Sequence, residues 1–178
     1  MSRAIKETPA RMVKDGRIAA FGHFATPFKD NNILEADVFG MGGTISKRIN
    51  KYRLKDWQHV AVFGPDFLFT FVILNAGYLA NSFCYFVDRA NGELIERHRE
   101  AAPGAATLAK ELWDDRCEFS RRGYAIEIRN LLREHRHLAR IDIADTTDAP
   151  GLAADLTLHA DLSRIQPLEV VLRLAENR

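Results

Sequence analysis

Residues 57–88 read WQHVAVFGPDFLFTFVILNAGYLANSFCYFVD and hold nine of the chain's seventeen aromatic side chains. No charged residue interrupts Phe67 to Val87. Such a run is a membrane span, a buried helix, or buried strands joined by a turn. Its length suits a helix crossing a bilayer. Its centre does not, because Asn75-Ala76-Gly77 is followed by Asn81 and Ser82, and amides at that depth need partners inside the membrane. Phe67, Phe69, Phe71 and Val72 to Leu74 are aromatic and branched residues that suit a pleated surface. Turn chemistry brackets them, with Gly64-Pro65-Asp66 before, Asn75-Ala76-Gly77 between, and Asp88 to Glu93 after. The run therefore reads as strands over 57–64, 66–75 and 78–88, followed by a hairpin through Asn91-Gly92.

Side chains alternate between the faces of a strand. On 66–75 one face carries Phe67, Phe69, Phe71 and Ile73, and the other Leu68, Thr70, Val72 and Leu74. A strand apolar on both faces is expected to be covered on both. Strand 78–88 is asymmetric, with Phe83, Tyr85 and Val87 opposite Ala80, Ser82 and Cys84. Small side chains leave space above the sheet, to be filled by another layer or kept as a pocket.

Downstream the pattern is period two. Tyr124, Ile126 and Ile128 alternate with charged residues, as do Ile141 and Ile143. Leu152 to Leu162 and Val170 to Leu174 continue the alternation, which marks antiparallel strands with one buried face. Upstream, residues 1–15 read as a polar lead-in, Gly16 to Pro27 as a strand broken at Gly22, and Ile33 to Phe39 as a short strand. Residues 44–55 read as a helix with Ile45, Ile49 and Tyr52 on one face, or as an edge strand. Residues 101–115 read as irregular or as a short helix near 105–113. The fold class is all-β with at most one short helix.

At 178 residues, one domain over 16–178 is the default. A net charge of +1 implies neither nucleic acid nor an anionic membrane as partner. The first residues lack the apolar core of a secretory signal. Cys84 and Cys117 lack metal spacing, and free buried thiols in the cytoplasm are the plain expectation, with a bridge between them left open. No transmembrane segment and no cofactor are implied.

Chemical motifs are sparse. Gly40-Met41-Gly42-Gly43-Thr44-Ile45-Ser46-Lys47 fails the phosphate-loop spacing and reads as a glycine-rich turn. The basic residues from Lys47 to Lys55 read as a solvated face or a protected edge. Asp155, His159 and Asp161 share one strand face, where His159 could act as a base oriented by a carboxylate. His23 and His59 lie among aromatics and need partners there. His98, His135 and His137 stand in charged contexts and read as solvated. No His or Cys spacing builds a metal site. Trp57, Tyr78, Phe83 and Tyr85 are the ligand-contact candidates, apolar bodies with polar handles at Trp and Tyr.

Phe21-Gly22-His23-Phe24, the basic stretch into Lys55-Asp56-Trp57-Gln58-His59, Asn75-Ala76-Gly77-Tyr78 and the aromatic strand ending at Val87-Asp88 together carry a resemblance. They resemble the N-terminal half of an uncharacterised domain-of-unknown-function family similar to the calycin, or lipocalin-like, group. Carotenoid hydratases and tocopherol cyclase are placed in that group. The resemblance implies an antiparallel lipocalin-like barrel or strongly curved meander sheet. It also implies that 16–178 is the first half of a two-domain protein, with a missing C-terminal domain or a second copy as partner. An apolar small molecule, a lipid or isoprenoid, is the ligand it suggests. A hydratase or cyclase acting on a terpenoid alkene is the alternative, for which His59, His159 and Asp161 are the candidate catalytic residues. A structural half-domain that docks a second domain is the third reading.

Overall fold

In the computed structural model the aromatic run folds as three consecutive antiparallel strands, Asp56–Phe63, Phe67–Asn75 and Ala80–Asp88. The residues described are 4–38 and 40–172. The end of the strand expected to run to Leu174 lies outside them.

Numbered along the chain, the short N-terminal strands are β1 (Ile5–Lys6), β2 (Val13–Lys14), β3 (Arg17–Ile18) and β4 (Gly22–Phe24). Helix α1 (Gly43–Arg53) follows. Then come β5 (Asp56–Phe63), β6 (Phe67–Asn75), β7 (Ala80–Asp88) and β8 (Leu94–Ala101). The remainder are β9 (Ala106–Thr107), β10 (Asp115–Arg121), β11 (Tyr124–Leu131), β12 (Arg136–Ile143), β13 (Leu152–His159) and β14 (Glu169–Val171).

Strands β5-β6-β7-β8 form one antiparallel sheet and β13-β12-β11-β10-β9 a second. Spatial order follows chain order in both, so the architecture is an up-and-down meander folded back on itself. Among the described residues β5 and β13 do not pair, and the barrel is not closed. The two inner faces make the main core. Phe69, Phe71 and Ile73 of β6 are buried with Phe119 of β10, Ile126 and Ile128 of β11, and Ile141 and Ile143 of β12. Each such side chain contributes about 1.5–3 kcal/mol on burial.

The small side chains of β7 meet a neighbour, not a cavity. Ala80, Ser82 and Cys84 are buried on the inner face. The phenol of Tyr124, from the opposite sheet, reaches Ser82 and Cys84. Its ring lies edge-on to Phe119 at 5.7 Å. Nearby, the buried Arg97 of β8 donates to the carbonyls of Ala144 (2.9 Å) and Pro150, tying the β12–β13 loop to the first sheet. A buried charge persists only when its donors are used in this way.

The outer face of the first sheet is a different surface. It carries Trp57, His59, Ala61 and Phe63 on β5, and their register partners Leu74, Val72, Thr70 and Leu68 on β6. Asn81, Phe83, Tyr85 and Val87 continue it on β7. Val72 and Thr70 are buried among these neighbours, but Trp57 is 59% and Phe63 76% exposed.

Residues before α1 supply a second, smaller core. Met12, Val13, Phe24, Phe28 and Ala36 pack with Val171. Strands β1, β4 and β14 pair in one sheet, and β2 pairs with β3. Within the segment read as a polar lead-in, Ile5–Lys6 and Val13–Lys14 thus enter strands, and Met12 and Val13 enter this core; residues 1–3 lie outside the described residues. Within 33–39, read as a short strand, Phe39 lies outside the described residues, 36–38 enter no strand, and Ile33–Glu35 is a single 3-10 turn. Its carbonyl neighbours explain why: Asn50 of α1 donates to the oxygens of Leu34 (3.3 Å) and Ala36 (2.6 Å). Those acceptors face a helix side chain instead of a strand partner. The segment 44–55, read as a helix or an edge strand, is helix from Gly43.

Candidate ligand cleft

The inner faces of the two sheets are apolar along most of their length and turn polar at one end. Extending the inward parity of β11 by two residues past Ile128 reaches Asn130. Extending that of β12 back from Ile141 through Ala139 reaches His137. Leu158, His137, Asn130 and Asp115 are successive register partners across β13, β12, β11 and β10. From the facing sheet, Gln58 of β5 descends onto this row.

Asn130 is fully buried, at 0% exposure. Its amide and that of Gln58 pair reciprocally. Gln58 Nε2 donates to Asn130 Oδ1 at 2.8 Å, and Asn130 Nδ2 donates back to Gln58 Oε1 at 3.0 Å. Cys117 Sγ donates to the same Gln58 oxygen at 2.9 Å and accepts the Ala109 N–H at 3.1 Å. His137 Nδ1 lies 3.0 Å from Asn130 Oδ1. A buried polar group this deep is tolerated because its bonds are made.

Above this floor opens a cleft of about 580 Å³ along the β5 edge. Gln58, Cys117 and His137 line its polar side, while Trp57, Leu112 and Leu158 line its apolar side. Phe28, from the N-terminal core, and Glu169 of β14 reach it from the remaining side. Asp56 lies on the wall it shares with a neighbouring cavity of about 480 Å³, which runs beneath α1 past Lys47, Lys51 and Leu54.

The titrating groups are shifted by burial. Desolvation raises the carboxyls of Asp56 and Glu169 above their ordinary values and lowers the His137 imidazole. Burial pushes both the Cys84 and the Cys117 thiol up to about 11. A cysteine, a histidine and an asparagine near one another suggest a nucleophilic triad. The geometry does not support one, since the thiol is held protonated and donates to Gln58, not to His137. Among the described residues no three His, Cys, Asp or Glu side chains form a group that could hold a metal.

Three of the four ligand-contact candidates share a face. Trp57, Phe83 and Tyr85 point outward from the first sheet, and Trp57 also borders the cleft. Phe83 and Tyr85 pack on each other at 5.2 Å. Tyr78 stands apart in the β6–β7 turn, 5.8 Å from Tyr52 and with the Lys55 ammonium 4.4 Å above its ring. Of the catalytic candidates, His59 lines the cleft and bonds Thr70 Oγ1 at 2.6 Å. His159 and Asp161 are exposed, at the end of β13 and in the following turn. Gln58, His137 and Glu169, which line the cleft, and Asn130 beneath them carry no motif in the sequence, and His137, whose charged neighbours read as a solvated context, is instead part-buried here. Inward parity on β11 and β12 is the signal that finds two of them.

Among the described residues no helix is long and apolar enough to cross a membrane. No curated protein and no solved structure gives a significant match to this chain. A family model described as a domain of unknown function, DUF2804, matches residues 2–178, and the chain belongs to that family.

Proposed function

We propose that this chain is a lipocalin-like small-molecule binding domain whose ligand is amphipathic and sits in the cleft beside Trp57. The observation that carries the reading is the cleft itself, where apolar walls (Trp57, Leu112, Leu158) meet a buried and internally satisfied polar floor. Concave sites with mainly apolar lining and a few fixed polar groups are the usual form of a ligand site. The meander topology supports the lipocalin-like assignment, and the packing of Tyr124 into the sheet interior moves the ligand from the barrel centre to its open edge. Two buried free thiols suit a reducing cytoplasm.

The test combines native mass spectrometry of gently purified protein with quenching of Trp57 by retinol and by medium-chain alcohols. A bound mass, or saturable quenching that disappears in Trp57→Phe, is the expected result. A clean apo mass together with no saturable quenching would sink the reading.

A second reading is favoured by one specific feature, the exposure of Trp57 and Phe63 on a face that also holds Leu68, Phe83 and Val87. Contiguous exposed apolar side chains mark interaction surfaces. In that reading the face docks a second domain of a longer chain or a second copy. Sedimentation velocity over a hundredfold concentration range separates these, since self-association that Phe63→Lys abolishes identifies the copy.

A further inference from the structure

The hydrogen-bond chain at the cleft floor fixes more than its own stability. The sulfur of Cys117 already accepts the Ala109 N–H, so the thiol hydrogen needs an acceptor, and the atom 2.9 Å away is Gln58 Oε1. That orientation of Gln58 turns its Nε2 toward Asn130, and the reciprocal pair then makes Asn130 Oδ1 the atom facing His137. An oxygen acceptor requires a donor, so His137 carries its hydrogen on Nδ1. In the neutral ring the other nitrogen, Nε2, is then a bare lone pair. No described residue bonds it.

We propose that the cleft recognises a hydroxyl group, borne on an otherwise apolar ligand, by accepting its hydrogen at His137 Nε2. The inference rests on the cleft being the ligand site. It adds the identity of the polar head. The surroundings select a neutral donor. Asp56, Glu111 and Glu169 line the same cleft against a single cation, Lys110, an acidic balance that disfavours a carboxylate head, while Leu158 and Leu112 offer the body of the molecule an apolar wall. Burial keeps the imidazole neutral near pH 7, which preserves the lone pair. A site built to bond a hydroxyl rejects an analogue lacking it, because its polar group is left unpaired.

Two isomers of equal composition test this on the intact chain, 1-decanol and 1-methoxynonane, each titrated against Trp57 fluorescence. The expected result is about tenfold tighter binding of the alcohol, a preference that His137→Phe reduces to about twofold or less. Should His137→Phe fail to fold, long-range proton–nitrogen NMR on the unmodified protein reads the tautomer directly, with Nδ1 protonated and Nε2 bare expected. Equal binding of both isomers, or a proton found on Nε2, overturns the hydroxyl assignment and leaves the cleft as a ligand site. Binding of neither isomer overturns both.

Discussion

The hydroxyl of Tyr124 donates to the main-chain carbonyl of Arg97 across the gap between the sheets, at 3.4 Å. The same side chain fills the space beside Ser82 and Cys84, and the Arg97 side chain holds the β12–β13 loop. Tyr124 thus joins Phe69, Phe71 and Phe119 in filling the meander interior. Tyr124→Phe keeps the ring and loses one long hydrogen bond, so it should cost about 1 kcal/mol or less. Tyr124→Ala leaves a cavity and should cost about 3–5 kcal/mol. Urea denaturation of both variants checks the ratio. Equal losses would mean that the hydroxyl, not the packing, matters there.

Gln58 and Asn130 satisfy one another inside the protein, so removing either strands its partner. Asn130→Leu and Gln58→Leu should each destabilise by about 2–3 kcal/mol, because an unpaired buried amide bears its full desolvation cost. The double variant should lose clearly less than the sum. Chemical denaturation of the four proteins in the cycle measures the coupling, and strict additivity would contradict the reciprocal pairing.

His137 and the two carboxyls give stability opposite pH dependences. With its folded pKa lowered, His137 stays neutral while the unfolded chain takes up a proton, so stability falls as pH drops below about 6.5. Asp56 and Glu169, with raised folded values, stabilise below about pH 4. That contribution is lost as pH rises through their folded pKa values. His137→Gln should flatten the decline just below pH 6.5 and leave stability at pH 8 with no added pH dependence. Denaturation midpoints across pH 4–8 provide the measurement.

Gly77 turns the chain from β6 to β7 with φ of +85°, and a Cβ there would come within 2.6 Å of the Lys51 carbonyl. The turn is thereby pressed against the end of α1, where Tyr52 and Tyr78 meet. Gly77→Ala should cost about 1–2 kcal/mol from the left-handed backbone alone, with the clash in addition. Gly77→Asn separates the two, since asparagine tolerates that backbone but not the contact. If Asn restores wild-type stability by thermal denaturation, the close approach is not a constraint.

The sequence by itself determined the strands of the aromatic run, their turns and which side chains share a face. Those properties follow from local chemistry, period-two alternation interrupted by glycine, proline and asparagine. It could not determine what lies opposite a face. Whether Ser82 and Cys84 met a ligand or a neighbour depended on Tyr124, some forty residues away in the chain and on the other sheet. His137 looked solvated beside Arg136 and Glu134, yet its place in the cleft comes from register with Asn130 and from Gln58 arriving from the facing sheet. Ile33 and Leu34 are apolar enough for a strand, but the carbonyls of Leu34 and Ala36 accept from Asn50 of α1. Only tertiary structure brings groups so distant in sequence within hydrogen-bonding distance. At the cleft floor those groups are Gln58 with Asn130 and Gln58 with Cys117, 72 and 59 residues apart.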